Sequence, residues 1–112
     1  MLELSGLPLK VFNDRYALKD GEGKQIERAP EEMWRRVAHF IAGGEKTEET
    51  KNFWEEKFYN ALEDFKFVPG GRILSGAGTS AQLTFYNCFV IPSPEDSRGG
   101  IFDSVKLMVD IM

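Results

Sequence analysis

Pro30-Glu31-Glu32-Met33-Trp34-Arg35-Arg36-Val37-Ala38-His39-Phe40-Ile41-Ala42-Gly43-Gly44 reads as one amphipathic helix with both ends marked. Pro30 suits the first helical position, where the missing N–H would have no partner anyway. Glu31 and Glu32 fall at the positive end of the helix dipole. Met33, Trp34, Val37, Ala38 and Ile41 recur at helical spacing, and Gly43-Gly44 stops the run. Glu31 to Arg35 and Glu32 to Arg36 are i,i+4 pairs in the favourable order. His39 is the chain's single histidine, with no second ligand at metal spacing, and reads as structural; no metal site is expected.

Downstream, Thr47 caps a second helix that runs to about Phe67, with Glu48 and Glu49 in its first turn. Trp54, Phe58, Leu62 and Phe65 form one apolar stripe, and the surrounding Lys and Glu residues are a solvated face. The two helices are expected to pack through Trp34, Trp54, Phe58 and Leu62. Upstream, the apolar run Leu7–Phe12 is broken by Pro8, which favours an extended lead-in over a helix. Gly21-Glu22-Gly23-Lys24 reads as a turn.

At Val68 the character changes. Pro69-Gly70-Gly71-Arg72-Ile73-Leu74-Ser75-Gly76-Ala77-Gly78-Thr79 is rich in small residues, with one charge, and reads as a loop. Leu83–Ile91 is a nearly unbroken β-favouring run closed by Pro92, as in a strand buried on both faces. On alternation, Cys88 shares a face with Thr84, Tyr86 and Val90, opposite Phe85, Asn87 and Phe89. One strand cannot make a parallel sheet. The last segment ends in a helix whose Ile101, Val105, Met108 and Met112 share a stripe, and the chain reads as the front end of a larger protein.

Composition narrows the function. The 112 residues hold 14 Lys+Arg against 18 Asp+Glu, a net charge of −4, which gives no electrostatic footprint for nucleic acid. No apolar run approaches the roughly 18 residues of a membrane span, and the first residues lack the pattern of a signal peptide. One cysteine excludes an internal disulfide, so a reducing, cytoplasmic setting is expected. Gly71 and Gly76 have the gap of a Walker A loop, but Ala77-Gly78 stand where Lys and Ser or Thr are needed. Gly76-x-Gly78-x-x-Ala81 imitates a dinucleotide fingerprint in the wrong context, ahead of a strand instead of a helix. Asn87, an amide in a run expected to be buried, must find partners.

The strings Phe67–Thr79, Asn87-Cys88-Phe89-Val90-Ile91-Pro92 and Asp96-Ser97, in that order and spacing, resemble the N-terminal part of ribonucleoside-diphosphate reductase large chains. The likeness looks closest to the adenosylcobalamin-dependent (class II) branch and extends to Arg15–Asp20 and Pro30–Ala42. It implies an α+β fragment, mainly α. Residues 1–68 would be a helical N-terminal domain, and 69–112 would start the catalytic α/β barrel with its first strand and helix.

The resemblance also implies roles. Cys88 matches a redox cysteine on the first barrel strand, one of two that supply electrons to replace the ribose 2′-hydroxyl with hydrogen after a thiyl radical elsewhere opens the reaction. Gly71, Arg72, Ser75, Asn87 and Cys88 match the region that contacts substrate. Many relatives carry Ser-Pro where this chain has Gly71-Arg72, which leaves backbone N–H groups and the Arg72 side chain to serve. Asp96, Ser97 and Ile101 match the site for a deoxynucleoside triphosphate effector at a subunit interface. The implied partners are the remainder of the chain, a ribonucleotide, that effector, a thioredoxin-like reductant and a second copy, with no membrane. Adenosylcobalamin would bind outside this segment, and the segment alone would not catalyse. The resemblance leaves no room for an extra N-terminal ATP-sensing domain. Two alternatives stay open: a diiron-dependent (class I) large chain, and a small helical interaction module with a non-catalytic cysteine.

Overall fold

A computed structural model describes residues 3–112. Its helices run in the order α1 (Gly6–Val11), α2 (Pro30–Ala42), α3 (Glu48–Leu62), α4 (Gly71–Gly76) and α5 (Arg98–Ile111). The described residues hold no strand, only an isolated antiparallel bridge between Lys19 and Gln25. That bridge flanks the turn expected at Gly21–Lys24: Asp20 Oδ1 accepts from the N–H groups of Glu22 and Lys24, and Gly23 takes φ +82°.

α2 has the expected limits, with Pro30 in its first turn and Gly43 N–H closing onto His39 and Phe40 carbonyls. α3 opens with a reciprocal cap. Thr47 Oγ1 accepts from Thr50 N–H, and Thr50 Oγ1 accepts from Thr47 N–H. The two helices pack side by side and build the core. Met33, Trp34, Val37 and Ala38 of α2 meet Leu62 of α3, Phe12 beyond α1 and Leu74 of α4. Trp34 is 1% exposed, and Phe65 meets its ring edge-on at 5.0 Å. Phe65 reaches it because the chain reverses after α3: Asp64 and Phe65 both take left-handed φ, 55° and 57°. That conformation costs roughly 1–2 kcal/mol per residue, so the ring contact must offset it.

Several expectations are corrected. The lead-in is helical, since Pro8 sits in the first turn of α1, where an N–H has no intrahelical acceptor to lose. The glycine-rich stretch is not a plain loop, because Gly71–Gly76 closes a short helix. Trp54 lies outside the core and stacks on Phe58 at 5.6 Å, and Ile41 is half exposed. Arg35 pairs with Glu55 and Glu56 across the helix pair and lies over Tyr59 at 3.8 Å instead of meeting Glu31. Arg36 turns to Glu27 instead of Glu32, whose carboxylate accepts from the Arg28 N–H. Residues 84–91 are extended but pair with nothing among the described residues, because a ladder needs a neighbouring strand.

The last helix forms as expected, starting three residues before Ile101, but none of its residues is buried. Ile101, Val105, Met108 and Met112 all face solvent. The radius of gyration is 18.4 Å, against roughly 13 Å for a compact chain of this length. α1–α4 form a packed body, the start of the extended segment lies against it, and α5 projects. No described helix is long and apolar enough to cross a membrane.

Candidate functional site

α4 is held at both ends. At its start, a Cβ on Gly71 would stand 3.3 Å from the Tyr16 hydroxyl, so only glycine lets the helix approach that ring without displacement. At its end sits Arg36, whose side chain is 9% exposed. Its guanidinium makes a two-pronged pair with Glu27, Nε to Oε1 at 2.6 Å and Nη2 to Oε2 at 3.0 Å. It also donates to the carbonyls of Leu74, Ala77 and Tyr16. These include carbonyls of the last turn of α4, where a cation is favoured. Glu27 Oε2 accepts further from the Leu18 N–H at 2.9 Å. Glu27 is the buried charged residue of the core, and pairing on all sides is what permits it.

Next, the extended segment crosses this body with a two-residue rhythm. Leu83 lies over Gly76, Phe85 meets Phe40 edge-on at 5.8 Å, and Asn87 Nδ2 stands 3.3 Å from where a Gly70 Cβ would be. Tyr86, Cys88 and Val90 are exposed. The expected two-face division does not hold beyond Phe85: Asn87 and Phe89 are exposed as well, and Tyr86 meets Phe89 edge-on at 6.4 Å. The expectation of a buried Cys88 is corrected: its thiol is exposed, because nothing among the described residues covers that side.

The proposed substrate residues thus fall into a partial cluster. Asn87 stands beside Gly70, the residue before Gly71, and Cys88 follows Asn87 in sequence. Arg72 and Ser75 side chains are exposed on α4 and bond to no described side chain. The effector candidates lie apart, at the start of α5. Ser97 Oγ accepts from the Gly100 N–H at 3.0 Å and caps the helix, while the Ile101 N–H closes onto the Ser97 carbonyl. Asp96 is exposed just before the cap, and a groove of about 370 Å³ beside it is lined by Pro94, Glu95, Gly100 and Asp103.

An apolar groove between α1 and the core at Phe12, Met33 and Leu74 holds about 430 Å³, and a more open one of about 600 Å³ runs along His39, Phe40 and Ile41. The one imidazole, His39, is at the surface with Nδ1 2.7 Å from Glu55 Oε2. No cobalamin site is assigned to these residues.

Arg36 and Glu27 escaped the sequence reading. A signal was present, since Arg36 borders the apolar stripe between Met33 and Val37, where a charge must either reach water or find a partner.

A small all-helical body that carries a glycine-rich helix and an outward-facing cysteine is the class these features define. The model of the ribonucleotide reductase all-alpha domain matches residues 2–82, and the chain belongs to that family. It is similar to the vitamin B12-dependent ribonucleoside-diphosphate reductase of Mycobacterium tuberculosis, with 35% identity over 103 residues. That match covers 90% of this chain and 14% of the relative. It is 35% identical over 103 residues to the ribonucleoside-diphosphate reductase subunit alpha of Helicobacter pylori, covering 91% and 12%. The subunit alpha of Chlamydia muridarum is 32% identical over 96 residues, covering 85% and 8%. The chain therefore spans a small fraction of the length of these relatives. No solved structure matches it.

Proposed function

We propose that this chain is the N-terminal part of an adenosylcobalamin-dependent ribonucleoside-diphosphate reductase. The observation that carries the reading is that the Asn87 side chain lies against Gly70, at the start of α4, while the next residue, Cys88, is exposed. Phe85 packs on the helical body, and the exposed Cys88 thiol is open to neighbours that a catalytic barrel would supply. In the whole protein, this segment gains strand neighbours and becomes the first barrel strand, with α5 as the first barrel helix. Residues 1–68 are then the helical domain and 69–112 the start of the barrel.

Cys88 serves there as one of two reducing thiols. The ribose C2′–OH bond breaks, the oxygen leaves as water, and a hydrogen takes its place. The two thiols become one disulfide, which a thioredoxin-like dithiol reduces again. Gly71, Arg72, Ser75 and Asn87 bind the ribonucleotide. Asp96, Ser97 and Ile101 help hold a deoxynucleoside triphosphate between two copies of the chain. Adenosylcobalamin supplies the initiating radical from a site outside residues 1–112, in keeping with the name of the Mycobacterium tuberculosis relative. The setting is cytoplasmic.

Equal identity to the Helicobacter pylori subunit alpha favours a second reading, a diiron-dependent large chain. Assay of the full-length reductase with a dithiol reductant decides both points. Turnover that requires adenosylcobalamin and is abolished by Cys88→Ser is expected. Turnover without cobalamin would select the second reading, and multiple turnover by Cys88→Ser would overturn the role of Cys88.

A further inference from the structure

We propose that Arg36 and Glu27 are positioning residues for the substrate-binding helix α4, an inference that rests on the reading of Gly71, Ser75 and Asn87 as substrate contacts. Neither residue approaches that surface. They act from behind it, as a buried fork between the N-terminal hairpin, α2 and the end of α4.

The geometry is specific. Four acceptors from three parts of the chain converge on one guanidinium: Tyr16 O before the Gly21–Lys24 turn, Glu27 after it, and the Leu74 and Ala77 carbonyls at the far end of α4. Tyr16 also places its hydroxyl against Gly71, so Arg36 and Tyr16 together fix both ends of the same short helix. A helix of six residues cannot hold itself in water, so its orientation is set by what grips its ends. Beyond Ala77 the chain turns through Gly78 at φ +75°, against the Arg36 stem. A Cβ there would come within 2.8 Å of Arg36 Cγ and 3.3 Å of its carbonyl oxygen. The turn then leads to Leu83, which lies over Gly76, and on to Asn87 beside Gly70. One fork thereby sets the position of α4 and, through the Gly78 turn, the course of the segment that carries Asn87 and Cys88. Lysine has one ammonium for these four acceptors and cannot reproduce the planar fork.

Two measurements test this. In the full-length reductase, Arg36→Gln, Glu27→Gln and Gly78→Ala should each raise the ribonucleotide KM about tenfold or more. The effector Kd should stay unchanged, and Arg36→Lys should rescue only in part. In the 112-residue chain, hydrogen exchange should quicken at the amides of Ala77 and Thr79 in the same variants, while the middle of α2 and α3 stays protected. Gly78→Ala removes neither charged partner and keeps the test open if the charge-removing variants fold poorly. An unchanged KM in variants with loosened amides would overturn the positioning role. Uniform loss of protection, or none, would overturn the clamp itself. A wild-type enzyme that reduces no ribonucleotide would overturn the functional reading instead, and the exchange result would still decide the clamp.

Discussion

Asp96 and Ser97 stand side by side, yet the structure divides their chemistry. Ser97 spends its hydroxyl oxygen on the Gly100 N–H, as a helix cap does, whereas Asp96 stays exposed. A carboxylate repels phosphate but is a strong acceptor for a sugar hydroxyl. Asp96→Ala in the full-length protein should therefore weaken deoxynucleoside triphosphate binding, measured by equilibrium titration; unchanged affinity would remove Asp96 from the site. In the core, Trp34 is 1% exposed and braced by Phe65. Trp34→Ala should cost about 3–5 kcal/mol in denaturant unfolding of the 112-residue chain, as emptied aromatic sites do. A loss below about 1 kcal/mol would mean that the site collapses around the gap or that the core lies elsewhere. The motif singles out Cys88 in the sequence, whereas its exposure was not legible there. Burial depends on neighbours that the local pattern cannot supply.

Among the elements, α2 and α3 were the most legible, because caps, charges and apolar spacing all agree there. Pro30 and Gly43 mark the limits of α2 and Thr47 the start of α3 in sequence and structure alike, whereas α3 stops at Leu62, short of the expected Phe67, where the chain reverses at Asp64 and Phe65. Thr47→Ala should cost about 1 kcal/mol through loss of the reciprocal cap, measured by thermal or urea unfolding. No change would place the helix start elsewhere. α1 and α4 were misread for a common reason. Each is six residues long, and one contains proline while the other is bounded by glycine, so local preference argues against both. They form because the body grips them: Phe12 is buried beyond α1, and Tyr16 and Arg36 hold α4. The expected strand at 84–91 shows the reverse case. Its local preference is strong, but pairing is a property of two segments, and only one lies within these residues.

At the scale of the whole molecule, the shape follows from where apolar surface finds cover. α1–α4 bury theirs, whereas α5 leaves Phe102, Val109 and Met112 largely in solvent. Small-angle scattering of the 112-residue chain at low concentration should give a radius of gyration near 18.4 Å; a value near 13 Å would show α5 folded back on the body. The central claim is that the exposed Cys88 is one of the thiols that reduce a ribonucleotide. The most direct measurement is mass spectrometry of the full-length reductase after a single turnover without external reductant. The account predicts one disulfide at Cys88 for each deoxyribonucleotide formed. Product formed while Cys88 remains a free thiol would contradict it.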